Sequence, residues 1–269
     1  MKQYTKVLTI AGSDSGGGAG LQADMKTLSA LRCYAMTAIT AITIQNTLGV
    51  DRVVTMKPED VEQQIDAVLS DIGADAVKTG MLATEDIVVA VVRQLHKYKV
   101  RNVVVDPVLV STSGHRLLTD EALRRMQCEL LPLSRVVTPN IPEAEVLMGQ
   151  RLVSVGDLKR AAHQLAEKYH TSIWLKGGHQ TGDFLTDILY DNEQGELLEL
   201  TSSYINTINT HGTGCTLSSA LAAGLAQGRT LQEAVRTAKE YINQAIKHGA
   251  DYEVGHGHGP VKHFYQLWK

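Results

Sequence analysis

The sequence has only three cysteines in 269 residues, Cys33, Cys128 and Cys215, an odd number with no paired spacing. That gives no basis for a disulfide framework and points to a reducing compartment, where each thiol is buried, inert or catalytic. Neither charge is in large excess, and the formal net charge of -3 offers no electrostatic reason to expect nucleic acid or an anionic membrane as partner. No apolar run approaches the roughly 20 residues that span a bilayer. After Lys2 and Lys6 the chain enters a short apolar strand and a glycine loop, without the apolar region and cleavage site of a signal peptide. There is no low-complexity linker and no repeat of fixed period. These absences leave the expectation of a cytoplasmic globular protein in which scattered lysines need a local explanation, such as phosphate contacts. What is present agrees: 43% hydrophobic and 20% charged residues suffice for a substantial core.

The recurring pattern is strand, glycine turn, helix. Lys6 to Ala11 is an apolar run that stops at Gly12, and Leu21, Met25, Leu28 and Leu31 then share one side of a helix. Tyr34 to Ile44 is rich in Thr and Ile and reads as a strand, with Val53 to Met56 a second short one. Pro58 opens a helix that ends before Gly73. Short strands are predicted at Asp75 to Lys78, Val103 to Val105, Arg135 to Thr138 and Ser172 to Leu175, and helices at Ile87 to Tyr98 and Val155 to Tyr169. Phe184 to Tyr190 and Leu197 to Leu200 flank a hairpin turn at Asn192 to Gly195. From Thr213 the chain is helical, over Leu217 to Leu225 and Leu231 to Ile246. Strands alternating with helices predict an α/β fold with a mainly parallel sheet covered on both faces, and an antiparallel addition at one edge. Residues 1–269 are expected to form one domain. In such sheets ligands bind beyond the carboxyl ends of the strands.

Four turns there carry chemistry. Gly12 to Gly20 (GSDSGGGAG) lets a ligand approach the main chain. It lacks the Gly-Lys-Ser/Thr of a Walker loop and fails the dinucleotide pattern at Leu21. Taken alone it is as readily a tight turn as a ligand loop, although Asp24 adds a carboxylate one turn into the next helix. Thr138 to Glu143 (TPNIPE) follows a strand. Asn140 as helix cap with Glu143 at the helix dipole is the favoured local reading, and a magnesium-linked carboxylate competes with it. Lys176-Gly-Gly-His179 places a cation at a strand's carboxyl end, where it could reach a phosphate.

The fourth is the strongest. Asn209 to Ser219 (NTHGTGCTLSS) leads a glycine turn into an apolar helix, whose unpaired first-turn amides form an anion site. Cys215 stands at the positive end of that helix, where a thiolate is favoured over the alternative of a small buried residue. Gly255 to Pro260 (GHGHGP) has two histidines but no third ligand at metal spacing, so it reads as a structured terminal loop. Met36 and Met81 read by default as core.

Taken in chain order, these segments resemble the hydroxymethylpyrimidine/phosphomethylpyrimidine kinases of thiamine biosynthesis, members of the ribokinase-like superfamily. The matching stretches are Ala11 through Asp24, Ala41 to Thr47, Lys78 to Leu82, Val105 to Val108, Thr138 to Glu143, Leu175 to His179, His211 to Leu217 and Val254 to Val261. The resemblance runs from about Val7 to about Trp268. It implies a ribokinase-like three-layer sandwich and MgATP-dependent phosphorylation of 4-amino-5-hydroxymethyl-2-methylpyrimidine, then of its monophosphate. By the same resemblance Gly12, Asp24, Gln45 and Met81 hold the pyrimidine. Gln45 and Asp24 read its nitrogens, and Met81 packs on the ring. Asp106, Asn140, Lys176, Gly212, Thr213 and Gly214 serve ATP and its phosphates, and Glu143 serves the magnesium ion. Cys215 takes the place of the aspartate base of ribokinase-like sugar kinases; the residues leave open whether the thiol is a base or positions the hydroxyl. The Gln45-Asn46-Thr47 run favours a pyrimidine enzyme over the pyridoxal-preferring branch. His115 departs from a position expected to be polar or acidic, and no role is assigned to it. The expected partners are the pyrimidine, ATP and a second copy of the chain. The rival readings are a pyridoxal kinase and a non-catalytic ligand sensor on the same fold.

Overall fold

A computed structural model describes residues 2–109, 117–178 and 182–268; His115 and His179 lie outside them. Among the described residues nine strands form one sheet in the order β3-β2-β1-β4-β5-β6-β7-β8-β9. The strands are β1 (Lys6–Asp14), β2 (Tyr34–Asn46), β3 (Gly49–Thr55), β4 (Ala76–Thr79), β5 (Val103–Val105), β6 (Val136–Val137), β7 (Ser172–Leu175), β8 (Phe184–Asp191) and β9 (Glu196–Ser203). From β2 through β7 every pairing is parallel. The short central strands β4 to β7 are buried at every position, as strands covered on both faces must be.

Antiparallel strands close both edges, not one. At one edge β8 and β9 form the expected hairpin. At the other, β3 turns back antiparallel on β2, through a tight connection in which Leu48 N donates to Asn46 Oδ1 at 2.9 Å. The far half of β2 alternates buried and exposed positions, the pattern of a strand with one face to solvent, and so extends past the covered sheet.

Helices lie on both faces, and period-two alternation along the strands decides which core each residue joins. Leu8, Ile10, Val77, Val103, Val105, Val137, Ile173 and Leu175 face one core. It is closed by α2 (Pro58–Asp71), α3 (Glu85–Lys97), α4 (Asp120–Arg125), α6 (Ile141–Met148) and α7 (Val155–Tyr169). Their neighbours Val7, Ala76, Val104, Val136 and Trp174 face the other core, closed by α1 (Gly20–Ala30), α8 (Thr213–Ala226) and α9 (Leu231–Gly249). The apolar pattern did not reveal α4, which widens into a π turn at Met126–Leu130 and ends in α5 (Leu131–Leu133). Pro132 in that last turn has no amide to continue an α-helical ladder. No helix among the described residues is long and apolar enough to cross a membrane.

The carboxyl ends of β1, β4, β5, β6 and β7 open on one side, and α8 packs against β1, β4 and β5. The seat of α8 depends on Gly224, where an added Cβ would lie 2.8 Å from Ala234 Cβ and 3.0 Å from its Cα on α9. A side chain there must push two helices apart. We expect Gly224→Val to lower stability by about 1–3 kcal/mol, read as a lower midpoint in urea with an unchanged slope.

Candidate active site

The glycine loop after β1 is a structured cup. Asp14 Oδ1 accepts from Gly16 N at 2.8 Å, and its Oδ2 accepts from Gly18 N at 3.0 Å and Ala19 N at 2.8 Å. Gln22 braces the loop from α1, accepting from Asp14 N at 2.7 Å and donating to Ser13 Oγ at 2.8 Å. The loop therefore holds a fixed shape with the main chain of Gly12 and Gly20 facing the cleft.

Asp24 does not face that cleft. It is fully buried and ion-paired with Lys78 on β4, whose Nζ donates to both carboxylate oxygens at 2.9 Å. Thr9 Oγ1 donates to it at 2.5 Å and Ser219 Oγ at 2.7 Å. With its lone pairs engaged and no path to the cleft, Asp24 cannot read a ring directly, contrary to the expectation from the family motif. Its ion-pair partner Lys78 does line the cleft. Burial alone would lower the pKa of the Lys78 ammonium, but the charge of Asp24 outweighs it and holds the group above the usual lysine range.

The other proposed site residues all line one cleft of about 610 Å³. At its floor Asp106, just beyond β5, accepts from Lys176 Nζ at 2.9 Å and Thr138 Oγ1 at 3.2 Å. Burial pushes the Asp106 carboxyl up, yet the Lys176 and Lys78 ammoniums hold it below the ordinary carboxylate range. Lys176 is held by its own main chain, which donates to Pro139 O at 2.8 Å, and its Nζ also lies 4.0 Å from Glu143 Oε2. Asn140 and Glu143 form a reciprocal capping box on α6, each accepting from the other's amide at 2.8 Å. The cap and the site coincide here: Glu143 caps the helix and lines the cleft. Burial raises its carboxyl to about 7, against the pull of Lys176.

The anion turn closes the opposite wall. Gly212 takes a left-handed backbone, φ 80°, at the N-cap of α8, a conformation that suits glycine. Gly214 stands against the charges, since an added Cβ would lie 3.4 Å from Lys176 Nζ and 3.7 Å from Asp106 Oδ2. Cys215 follows, beside the Gly20 amide. The expected thiolate is not the resting form. Burial pushes the thiol up to about 11, and the lowering effects of Lys78 and the Gly20 amide fall short of reversing it. The helix N-terminus alone does not offset the lost hydration.

Met81 and Gln45 mark the end of the cleft nearest the glycine loop. Met81 is 7% exposed and packs with Ala41 and Ala83, so its core packing and its place on the cleft wall coexist. Gln45 Nε2 lies 2.9 Å from His211 Nε2, and that nitrogen lies 3.0 Å from Asp14 Oδ2. Asp14, Lys78 and His211 were not singled out from the sequence, although each lies in or beside a matched stretch. At the far end Asp187 accepts from Gly177 N at 2.8 Å and pairs with Lys239 Nζ at 2.8 Å. In the sequence these two read only as strand and helix positions. The Gly255–Pro260 segment is a structured strap. Gly257 N donates to Thr47 Oγ1 at 3.2 Å, His258 N to Thr47 O at 2.9 Å, and Gly259 O accepts from His211 N at 3.0 Å.

A crystal structure of Bacillus subtilis pyridoxal kinase in complex with ADP matches this fold with a TM-score of 0.90 and 37% identity, covering 99% of this chain and 100% of that one. The fold is thus that of the ribokinase-like small-molecule kinases. Residues 14–262 match the family model described as phosphomethylpyrimidine kinase. The hydroxymethylpyrimidine/phosphomethylpyrimidine kinase of Bacillus subtilis (strain 168) is 46% identical over 260 residues, 96% of this chain and 94% of that protein. The thiamine biosynthesis bifunctional protein ThiED of Geobacter sulfurreducens is 46% identical over 257 residues, which is 96% of this chain and 52% of that longer protein. The chain belongs to the phosphomethylpyrimidine kinase family.

The raised thiol sets a measurable expectation. A pKa near 11 leaves Cys215 at neutral pH with about a hundredfold less thiolate than a free cysteine. Iodoacetamide at pH 7 should therefore label the exposed Cys128 first, with Cys215 labelling climbing steeply only above pH 9. Peptide mapping by mass spectrometry reads both sites, and equal labelling at pH 7 would restore the thiolate.

Proposed function

We propose that this chain is an ATP-dependent kinase of thiamine biosynthesis, working as one domain over residues 1–269. It transfers the γ-phosphoryl group of ATP to the hydroxymethyl oxygen of 4-amino-5-hydroxymethyl-2-methylpyrimidine, and then to the resulting monophosphate. The observation that carries this reading is a single cleft with two unlike ends, with Cys215 between them. At one end it is lined by Gly12, Gln45 and Met81. Lys176, with Asp106 and Glu143 beside it, and the Gly212–Gly214 turn with its free first-turn amides line the other.

In phosphoryl transfer most of the catalysis is positioning and charge stabilisation. Lys176 neutralises phosphate oxygens, and the free amides at the start of α8 receive the transferring group. Cys215, protonated at rest, positions the hydroxyl at the mouth of the anion turn. A loose transition state asks for little prior deprotonation of the alcohol. Magnesium fits the residues present. Glu143 and Asp106 are two carboxylates at the phosphate end, and Mg²⁺ characteristically takes one or two carboxylates and completes its shell with water and substrate phosphates. Bound there it would neutralise phosphate charge. The far end of the cleft, with Lys239 and Asp187, is left for the rest of the nucleotide.

The pyridoxal kinase fold match supports the same chemistry on another ring. Identity is higher to the pyrimidine kinase relative, at 46%, than to that pyridoxal kinase, at 37%, and this favours the pyrimidine. A coupled ADP-release assay with the pyrimidine alcohol, pyridoxal or no acceptor separates the readings. We expect fast turnover with the pyrimidine, slow or none with pyridoxal, and negligible ADP release without acceptor. Preference for pyridoxal would transfer the assignment, and silence with every acceptor would leave a ligand sensor. In the same assay Glu143→Gln, which keeps the cap's shape, should raise the magnesium requirement and cut turnover. An unchanged magnesium curve would leave Glu143 as a helix cap alone.

Two further readings belong to this proposal. The three free thiols support a reducing cytoplasm. Ile42, Leu48 and Val54 on the β2–β3 extension are 45%, 68% and 44% exposed, an apolar face that a second copy of the chain would cover. Sedimentation equilibrium should give twice the 29.3 kDa chain mass, and a monomer at micromolar concentration would remove the dimer.

A further inference from the structure

His211 has two neighbours on one nitrogen. Its Nε2 lies 3.0 Å from Asp14 Oδ2 and 2.9 Å from the terminal nitrogen of Gln45. A single imidazole nitrogen either donates or accepts, so it cannot serve a carboxylate and an amide N–H together. Asp14 decides between them. Its carboxylate accepts from the amides of Gly16, Gly18 and Ala19, donors that favour the ionised form. Burial pushes this carboxyl up, but its hydrogen bonds with His211 and the loop amides hold it below the usual range. An ionised carboxylate only accepts, so His211 Nε2 bears a hydrogen and points it at Asp14. The Gln45 atom beside that N–H must then be an acceptor, the carboxamide oxygen.

A second contact asks for the same half-turn of the carboxamide. Thr43 Oγ1 donates to Ser13 O at 3.0 Å, so only its lone pairs are left for Gln45, whose Oε1 lies 3.4 Å away. Turning the amide replaces that oxygen by a donor. The His211 ring packs closely on the Gly18 main chain, where an added Cβ would sit 2.4 Å from its Cδ2.

We propose that His211 is a positioning residue for substrate specificity: clamped by Asp14 as an Nε2–H donor, it holds the Gln45 carboxamide with its oxygen toward His211 and its nitrogen toward Thr43 and the cleft. This rests on the reading of Gly12, Gln45 and Met81 as the ring site. With one amide hydrogen on Thr43, the other is what Gln45 offers a ligand. The ring must then present a bare nitrogen at that edge; a ring with C–H there leaves a donor unpaired and is rejected.

Two measurements test this, and the first needs no substrate. Long-range ¹H–¹⁵N spectra of the full-length unliganded enzyme, with the His211 signals assigned by their loss in His211→Asn, report which imidazole nitrogen carries hydrogen. A protonated Nε2 is expected, and a bare Nε2 overturns the proposal whatever the substrate is. The second is calorimetric binding of 4-amino-5-hydroxymethyl-2-methylpyrimidine and its two analogues with one ring nitrogen replaced by C–H, to wild type and to His211→Leu. Wild type should lose about tenfold or more in affinity on one of the two replacements, and His211→Leu should shrink that ratio severalfold while Asp14 keeps its loop amides. An undiminished ratio in His211→Leu overturns the positioning role. Absence of pyrimidine binding by a wild type with a protonated Nε2 would instead fell the ring-site reading and leave the clamp standing.

Discussion

The buried pair Asp24–Lys78 is the contact on which the geometry of the cleft rests, because it joins four elements at one point. Asp24 comes from α1 and Lys78 from β4, while Thr9 of β1 and Ser219 of α8 donate to the same carboxylate. Two charges at zero exposure incur a desolvation cost that a Coulomb attraction offsets only with further hydrogen bonds, and Thr9 and Ser219 supply them. The pair therefore fixes where α8 meets the sheet. Ser219 lies one turn after Cys215, so anchoring it aims the first turn of α8, and the amides of its glycine turn, across the ends of β4 and β5.

That anchoring explains why the titratable groups of the cleft differ so much from one another. Asp106 stays ionised because two ammoniums face it; Glu143 rises to about 7 with Lys176 as its main counter-charge; Cys215 rises to about 11 with Lys78 committed elsewhere. At rest Lys176 is engaged by Asp106 and Glu143. On the proposed reading an arriving phosphate competes with those carboxylates for the same cation. A magnesium ion held by Glu143 and Asp106 would offset the repulsion that such a competition creates.

What the sequence made legible was whatever is local. Glycine turns, short Val- and Ile-rich strands and the capping pattern of Asn140 and Glu143 are written within a few residues of each other. So was the parallel core, since β4 to β7 are too short and too apolar to be anything but covered strands. The misreadings at the site were of features set by the whole fold. Asp24 reads as a free carboxylate until Lys78, 54 residues on, and Ser219, 195 residues on, are seen against it. Helix direction, a local feature, argues for a Cys215 thiolate, while burial, which raises the thiol, is a property of the whole fold. The β2–β3 hairpin escaped because its turn at Thr47 and Leu48 lacks an Asn-Gly or Asp-Gly pair, and Pro132 masked a helix that continues through a π turn.

The strap at Gly255–Pro260 shows how the two ends of the cleft are made one unit. Its backbone bonds to Thr47, two residues from Gln45, and to His211, which opens the anion turn. Asn209 ties down the end of α9 and the segment that leads into the strap, donating to Gly249 O at 2.8 Å and Tyr252 O at 2.6 Å. Asp14 meets His211 across 197 residues, so the glycine cup, the Gln45 edge and the anion turn share one set of hydrogen bonds. A displacement of any one of them is felt by the other two. On the proposed reading this couples ring recognition to phosphoryl transfer. A misplacement of about 1 Å at reacting atoms is costly in such reactions, and the shared bonds make the ring edge and the phosphate turn move together rather than independently.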